Sequence, residues 1–194
     1  MKLFLFGLGN PGRKYEDTRH NIGHWFVNRF AHSENGTFEK QKDFEVCTLK
    51  FVDTEIILLK SHSFMNCSGN GLVSFLSKHF SPHDFLLIIH DELDLPFGRV
   101  KLSSGKSDGG HRGVQHINEV LKSLPARLRI GIDRPLSDKL TISEFVLSQF
   151  STEEKKSLNT LFPMLLNTLH LLLAKGFSQA CNYANRYPNP SLNN

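Results

Sequence analysis

Two side chains invite a hydrolytic reading before anything else. His20 stands in a polar segment that follows a glycine-rich turn, and Asp91 comes just after Phe85–Ile89, the most strand-like run in the chain. A neutral imidazole takes a proton from water near neutral pH. A carboxylate on its other nitrogen fixes the tautomer and favours the imidazolium that forms. No serine sits in a G-x-S-x-G elbow, so water itself is the simpler nucleophile. On the residues alone the pair does not outweigh a plainer reading, in which His20, one of ten histidines, satisfies a loop.

Three amides, Asn10, Asn21 and Asn66, could donate to a developing oxyanion and read peptide backbone. Asparagine is also a turn and cap residue. For Asn21, capping a helix is at least as good a reading, and for Asn10 and Asn66 the two readings balance. The segment Ser103–Gly113 (SSGKSDGGHRG) precedes a helix pattern; its glycines let backbone N–H groups approach a phosphate, and Lys106 and Arg112 add charge. Arg127 and Arg129 follow it in sequence. A solvated mobile loop explains the same composition slightly better.

Gly7, Gly9 and Gly12 spell the dinucleotide fingerprint G-x-G-x-x-G, yet Pro11 interrupts it and no helix pattern begins before Asn21. These glycines are expected to make a sharp turn that brings Asn10 into a cleft, and a nucleotide-dependent oxidoreductase is disfavoured. A metal site is not expected either. His20 and His24 are four apart, but there is no H-E-x-x-H and no third ligand at a telling distance. His90, Asp91, Glu92 and Asp94 cluster, but strand alternation sends neighbours to opposite faces.

The elements that must position these groups follow from periodicity. Lys2–Phe6 reads as a buried strand. Asn21 opens a helix with Ile22, Trp25, Phe26 and Phe30 on one face. Phe44–Val52 and Glu55–Lys60 form a hairpin, and Ser61–Asn70 is a polar loop before a helix carrying Leu72, Phe75, Leu76 and Phe80. Arg99–Leu102 and Arg127–Ile132 are strands. Val114 to Leu124 form a helix that Pro125 stops. Thr152–Lys175 is mostly helical, and a polar tail is expected over 181–194. Strands interleaved with helices predict an α/β fold with a largely parallel or mixed sheet. In such folds ligands gather beyond the carboxyl ends of the strands, where segments 9–20, 61–70 and 90–94 would converge.

Composition sets the outer bounds. The 194 residues suit one compact domain, 1–180, and 39% hydrophobic content supports a core without staples. The sixteen phenylalanines read as core filler. A net charge of +4 permits an anionic partner without demanding one. Three separated cysteines argue for a reducing compartment. The start MKLFLFGLGNPG is too short and too glycine-broken for a signal peptide, and Leu161–Ala174 is too short to span a bilayer. The expected location is cytoplasmic.

Six blocks, in order, carry a resemblance. GLGNPGRKYEDTRHNIG (Gly7–Gly23) resembles the N-terminal signature of bacterial peptidyl-tRNA hydrolases. SFMNCSGNG (Ser63–Gly71), HDELDLPFGRVKL (His90–Leu102) and GGHRG (Gly109–Gly113) resemble later blocks, as do RLRIGIDRP (Arg127–Pro135) and FVLSQF (Phe145–Phe150). The resemblance implies a monomeric α/β globule with a twisted mixed sheet that hydrolyses peptidyl-tRNA without cofactor, metal or membrane. It makes His20 the general base, Asp91 its stabilising carboxylate, and Asn10 the group that discriminates N-blocked substrates. It assigns Tyr15, Phe64, Asn66, His111, Arg112 and Arg129 to substrate or tRNA binding, with Arg129 at a tRNA phosphate. Arg112 departs from the asparagine usual in the family. Ser103 stands near the place of a clamping lysine, for which Lys101 or Lys106 is expected to substitute. The competing reading is a non-catalytic RNA-binding protein on the same fold, as in splicing-factor relatives.

Overall fold

A computed structural model describes residues 1–51, 53–105, 107–136 and 139–187. The first strand, β1 (Lys2–Gly7), is buried on both faces: Leu3 and Leu5 point one way, Phe4 and Phe6 the other. A strand covered on both sides needs this continuous apolar run. Helix α1 (Ile22–Ser33) buries Ile22, Phe26 and Phe30 at helical spacing. A two-residue strand β2 (Glu39–Lys40) leads into the expected hairpin of β3 (Phe44–Lys50) and β4 (Glu55–Ser61), antiparallel with Phe44 opposite Ser61. Then come α2 (Leu72–His79), β5 (Phe85–Glu92), β6 (Val100–Ser103), α3 (Arg112–Leu121) and β7 (Ala126–Gly131). Three helices close the described chain: α4 (Ile142–Val146), α5 (Thr152–Lys175) and α6 (Phe177–Arg186).

The strands form one mixed sheet in the order β2-β3-β4-β1-β5-β7-β6. Its centre, β4-β1-β5-β7, is parallel, and both edges are antiparallel. Two apolar cores cover its faces. One joins Leu3, Leu5, Leu87 and Ile89 to α1, α5 and α6; the other joins Phe4, Phe6 and Ile88 to α2 and α3.

Three expectations change. β5 does not stop at Ile89: it pairs with β7 as far as Glu92, so Asp91 lies within the strand. α3 ends at Lys122, whose φ of 54° is left-handed, before Pro125 is reached. The polar tail does not begin at 181, because α6 runs to Arg186 and buries Ala180 and Ala184 against the sheet; residues 188–194 lie outside the described residues. The helix expected over Thr152–Lys175 is present as α5; it passes for a membrane span by length and composition, but Leu161, Phe162, Leu165, Leu169 and Leu172 are buried in the core.

Candidate active site

Strand ends build the site. β1 stops at Gly7 opposite Ile89, so Asp91 stands two residues beyond its neighbour at the carboxyl edge of the sheet. The chain leaves β1 through the glycine turn and returns as α1, which packs so closely that a Cβ on Gly23 would lie 2.3 Å from the Ile89 carbonyl oxygen. Gly7 in turn faces the Gly23 carbonyl. Of the fingerprint glycines, Gly7 and Gly9 serve close contact with α1, while Gly12, at a φ of 99°, makes the turn; the first turn of α1 is itself occupied by the chain, with the His24 N–H donating to the Leu8 carbonyl.

A short 3-10 turn, Arg19–Asn21, carries His20. Arg19 anchors this turn to a distant part of the chain. Its guanidinium makes a bidentate pair with Glu154 at 2.8 and 3.0 Å and lies over the rings of Phe145 and Phe150. Its backbone N–H donates to the Ser148 carbonyl, and the Phe150 N–H donates to that of Asp17.

His20 Nδ1 lies 3.0 and 2.9 Å from the two Asp91 oxygens. A carboxylate only accepts, so Nδ1 carries the proton and Nε2 keeps its lone pair. His111 also reaches Asp91, with Nε2 at 2.9 Å from Oδ1. As the N-cap of α3, its Nδ1 accepts the Val114 N–H, which puts its proton on Nε2. One buried carboxylate therefore accepts from two histidines. Sequence reading set His111 among substrate-binding residues; both its nitrogens are engaged within the protein, on Asp91 and on the Val114 N–H, while its ring lines the cleft.

Charge follows this geometry. Burial works to raise the Asp91 carboxyl, but the charges of His20 and His111 and their hydrogen bonds hold it well below the usual carboxylate range. Burial pulls His20 down, the Asp91 charge and hydrogen bond outweigh it, and Arg112 opposes them; the net shift is upward from 6.5. His90 bonds through Nδ1 to the Asp91 backbone carbonyl at 2.6 Å rather than to its carboxylate, stacks edge-on against His111 at 4.6 Å, and is kept neutral chiefly by burial and secondly by His111.

The amides divide by role. Asn21 neither caps α1 with its side chain nor lines the cleft: its Oδ1 accepts the Asn10 N–H and its Nδ2 donates to the Asn10 carbonyl, both at 2.8 Å. It clamps Asn10 in place. Asn10 Oδ1 accepts the Met65 N–H at 2.8 Å, which fixes the amide and leaves Nδ2 without a partner among the described residues. Asn66 lies in the 3-10 turn Met65–Cys67, exposed in the cleft wall.

These groups surround a cleft of about 500 Å³ lined by Asn10, His20, Phe64, Asn66, Asp91, His111 and Arg112. Tyr15 is not in the lining; its ring meets Phe64 edge-on at 6.2 Å and supports it. Arg129 is also behind the wall, bonded to Glu92 and Ser103 at 3.2 Å each. Arg127 is buried, with Nε and Nη1 unpartnered. Lys101 is exposed on β6, and Lys106 lies outside the described residues. Sequence reasoning missed the opposite wall, Ile142, Ser143, Val146 and Leu147 of the α4 segment. Its only signal was an apolar FVLSQF stretch with no periodic partner. Sequence reasoning also missed a third metal-competent ligand: nitrogens of His20 and His111 and an oxygen of Asp91 lie within 4.8 Å of one another. The same nitrogens make the hydrogen bonds to Asp91.

Comparison with known proteins agrees along nearly the whole chain. A family profile described as peptidyl-tRNA hydrolase matches residues 4–192. A peptidyl-tRNA hydrolase of Neisseria meningitidis is 36% identical over 182 residues, covering 92% of this chain and 94% of that protein. One from Geotalea uraniireducens is 37% identical over 183 residues, with 93% and 95% covered. The crystal structure of peptidyl-tRNA hydrolase from Acinetobacter baumannii superposes with a TM-score of 0.87 at 32% identity, covering 97% of this chain and 96% of that one.

Proposed function

Because this chain belongs to the peptidyl-tRNA hydrolase family, we propose that its cleft hydrolyses the ester between an N-blocked peptide and the 3′ end of tRNA. The observation that carries the mechanism is the His20 Nδ1–Asp91 contact at 2.9 Å, which leaves Nε2 as the free base beside the cleft. Nε2 takes a proton from water as the oxygen attacks the ester carbonyl carbon. Asp91 stabilises the imidazolium, and His111 holds Asp91 in position. The tetrahedral oxyanion meets the N–H groups of Asn10 Nδ2. On collapse the C–O bond to ribose breaks, and His20 returns its proton to the leaving ribose oxygen. Peptide acid and free tRNA are the products.

Selectivity rests on the same amide. A neutral peptide N–H and carbonyl can be desolvated in this cleft, whereas a free ammonium would lose its hydration against donors that cannot accept its protons. Phe64, Asn66 and Arg112 contact the substrate's 3′ end or peptide, Tyr15 supports Phe64, and Arg129 lies nearest the acceptor-stem phosphates. We place the activity in the cytoplasm, on a monomer without cofactor; the three unpaired cysteines fit a reducing compartment.

The test compares N-acetyl-aminoacyl-tRNA with unblocked aminoacyl-tRNA, using wild type and His20→Ala. The expected outcome is release from the blocked substrate only, and loss of turnover with tRNA binding retained in the variant. Binding of tRNA without release by the wild type would instead favour the RNA-binding reading.

A further inference from the structure

Arg112 is the one permanent cation among the described residues that line the cleft. It is exposed at the first position of α3, and among the described residues it makes no ion pair or hydrogen bond. Its neighbours of opposite sign are already engaged: Asp91 by His20 and His111, Glu92 by Arg129. Arg19, next to His20 in the chain, is held by Glu154. The site therefore holds an uncommitted guanidinium within electrostatic reach of the base.

The substrate offers it two anions: the oxyanion of the transition state and the phosphodiester one sugar from the ester. The oxyanion forms beside His20, whose side chain is 13% exposed, and beside the buried Asn10 amide. A rim arginine keeps its hydration and contributes little to a charge that develops on the cleft floor. It suits a full charge already present in the ground state, and the planar guanidinium matches phosphate oxygens two at a time.

Resting on the hydrolase reading above, we propose that Arg112 binds the phosphodiester on the 5′ side of the terminal adenosine and so makes the enzyme select a nucleotide-linked ester over a bare nucleoside ester. The grip also couples binding to chemistry. With the phosphate seated, Arg112 opposes protonation of His20 less, so the imidazolium that forms during attack is better stabilised. The groups facing His20 are then Asp91, His111 across a 4.9 Å ring contact, and the phosphate-paired Arg112.

Two measurements test this. The first is the ratio of kcat/KM for N-acetyl-aminoacyl ester on cytidylyl-adenosine to that on adenosine alone, for wild type, Arg112→Gln and Arg112→Lys. The expected result is a fall of about tenfold in that ratio for Arg112→Gln, carried by KM, with partial recovery in Arg112→Lys. An unchanged ratio, or equal losses on both esters, would overturn the proposal. The second is binding of cytidylyl-adenosine and adenosine, neither carrying an ester, to wild type and Arg112→Gln. A dinucleotide preference that disappears in Arg112→Gln supports the phosphate grip even if the wild type hydrolyses neither ester, in which case only the hydrolase reading falls; a preference that persists sinks the grip whatever the esters do.

Discussion

His20 is pulled two ways, and its pH behaviour reports which side prevails. Its folded value lies above 6.5 because the Asp91 charge and hydrogen bond exceed the effects of burial and Arg112. As a base it works only when neutral, so kcat/KM rises with pH through that raised value. Asp91→Asn removes the raising partner. Its acidic limb is expected to move to lower pH while the plateau drops, as a pH–rate profile would show; an unmoved limb would mean that Asp91 does not set the base. The stabilisation from protonated His20 runs the opposite way: it is whole below 6.5 and is lost as pH climbs through the folded value. The residues of this dyad were readable as types, but they lie 71 positions apart, and no periodicity reveals that two distant loops meet. The double use of Asp91 was invisible for the same reason, since it depends on where the first turn of α3 lands.

Among the elements, α5 bears on the site more than its place in the chain suggests. Glu154 closes the capping box of α5 by accepting the Ser151 N–H at 2.7 Å, and it also receives Arg19. Glu154→Gln can keep the cap, since glutamine serves a capping box, but it loses the charge pair. The expected cost is roughly 1–2 kcal/mol of stability, read by denaturant unfolding, together with a lower kcat, because the turn holding His20 loosens. A variant with unchanged kcat would show that the turn stands without the tether. Strong periodic patterns made α1, the β3–β4 hairpin and α5 legible. α6 was missed because its inward face is small, Ala180 and Ala184, and a helix that packs through alanines looks polar in sequence. The end of β5 was missed because its last residues, His90, Asp91 and Glu92, are polar while buried, which is where a strand turns from core into site.

For the molecule as a whole, the alternation of strands and helices made the α/β class legible, and the convergence of three loops on one sheet edge followed from it. The strand order did not, because a parallel sheet is assembled by crossovers whose partners are set in space. Contacts to the phosphates of the proposed substrate predict that tRNA affinity falls with added salt, at a log–log slope of about −0.7 to −0.9 per phosphate contact. Affinity measured by titration at several salt concentrations checks this, and a flat response would count against RNA as the ligand. The tether between Arg19 and residues 148–154 has one more consequence. Asn10, His20, Asp91, His111 and Arg112 are all synthesised before the segment that pins the base. A growing chain carries every reactive group of the site while still lacking the clasp that orders His20. Competence therefore arrives late in synthesis, and an enzyme that cuts peptides from tRNA does not acquire a set base until most of its own chain has been translated.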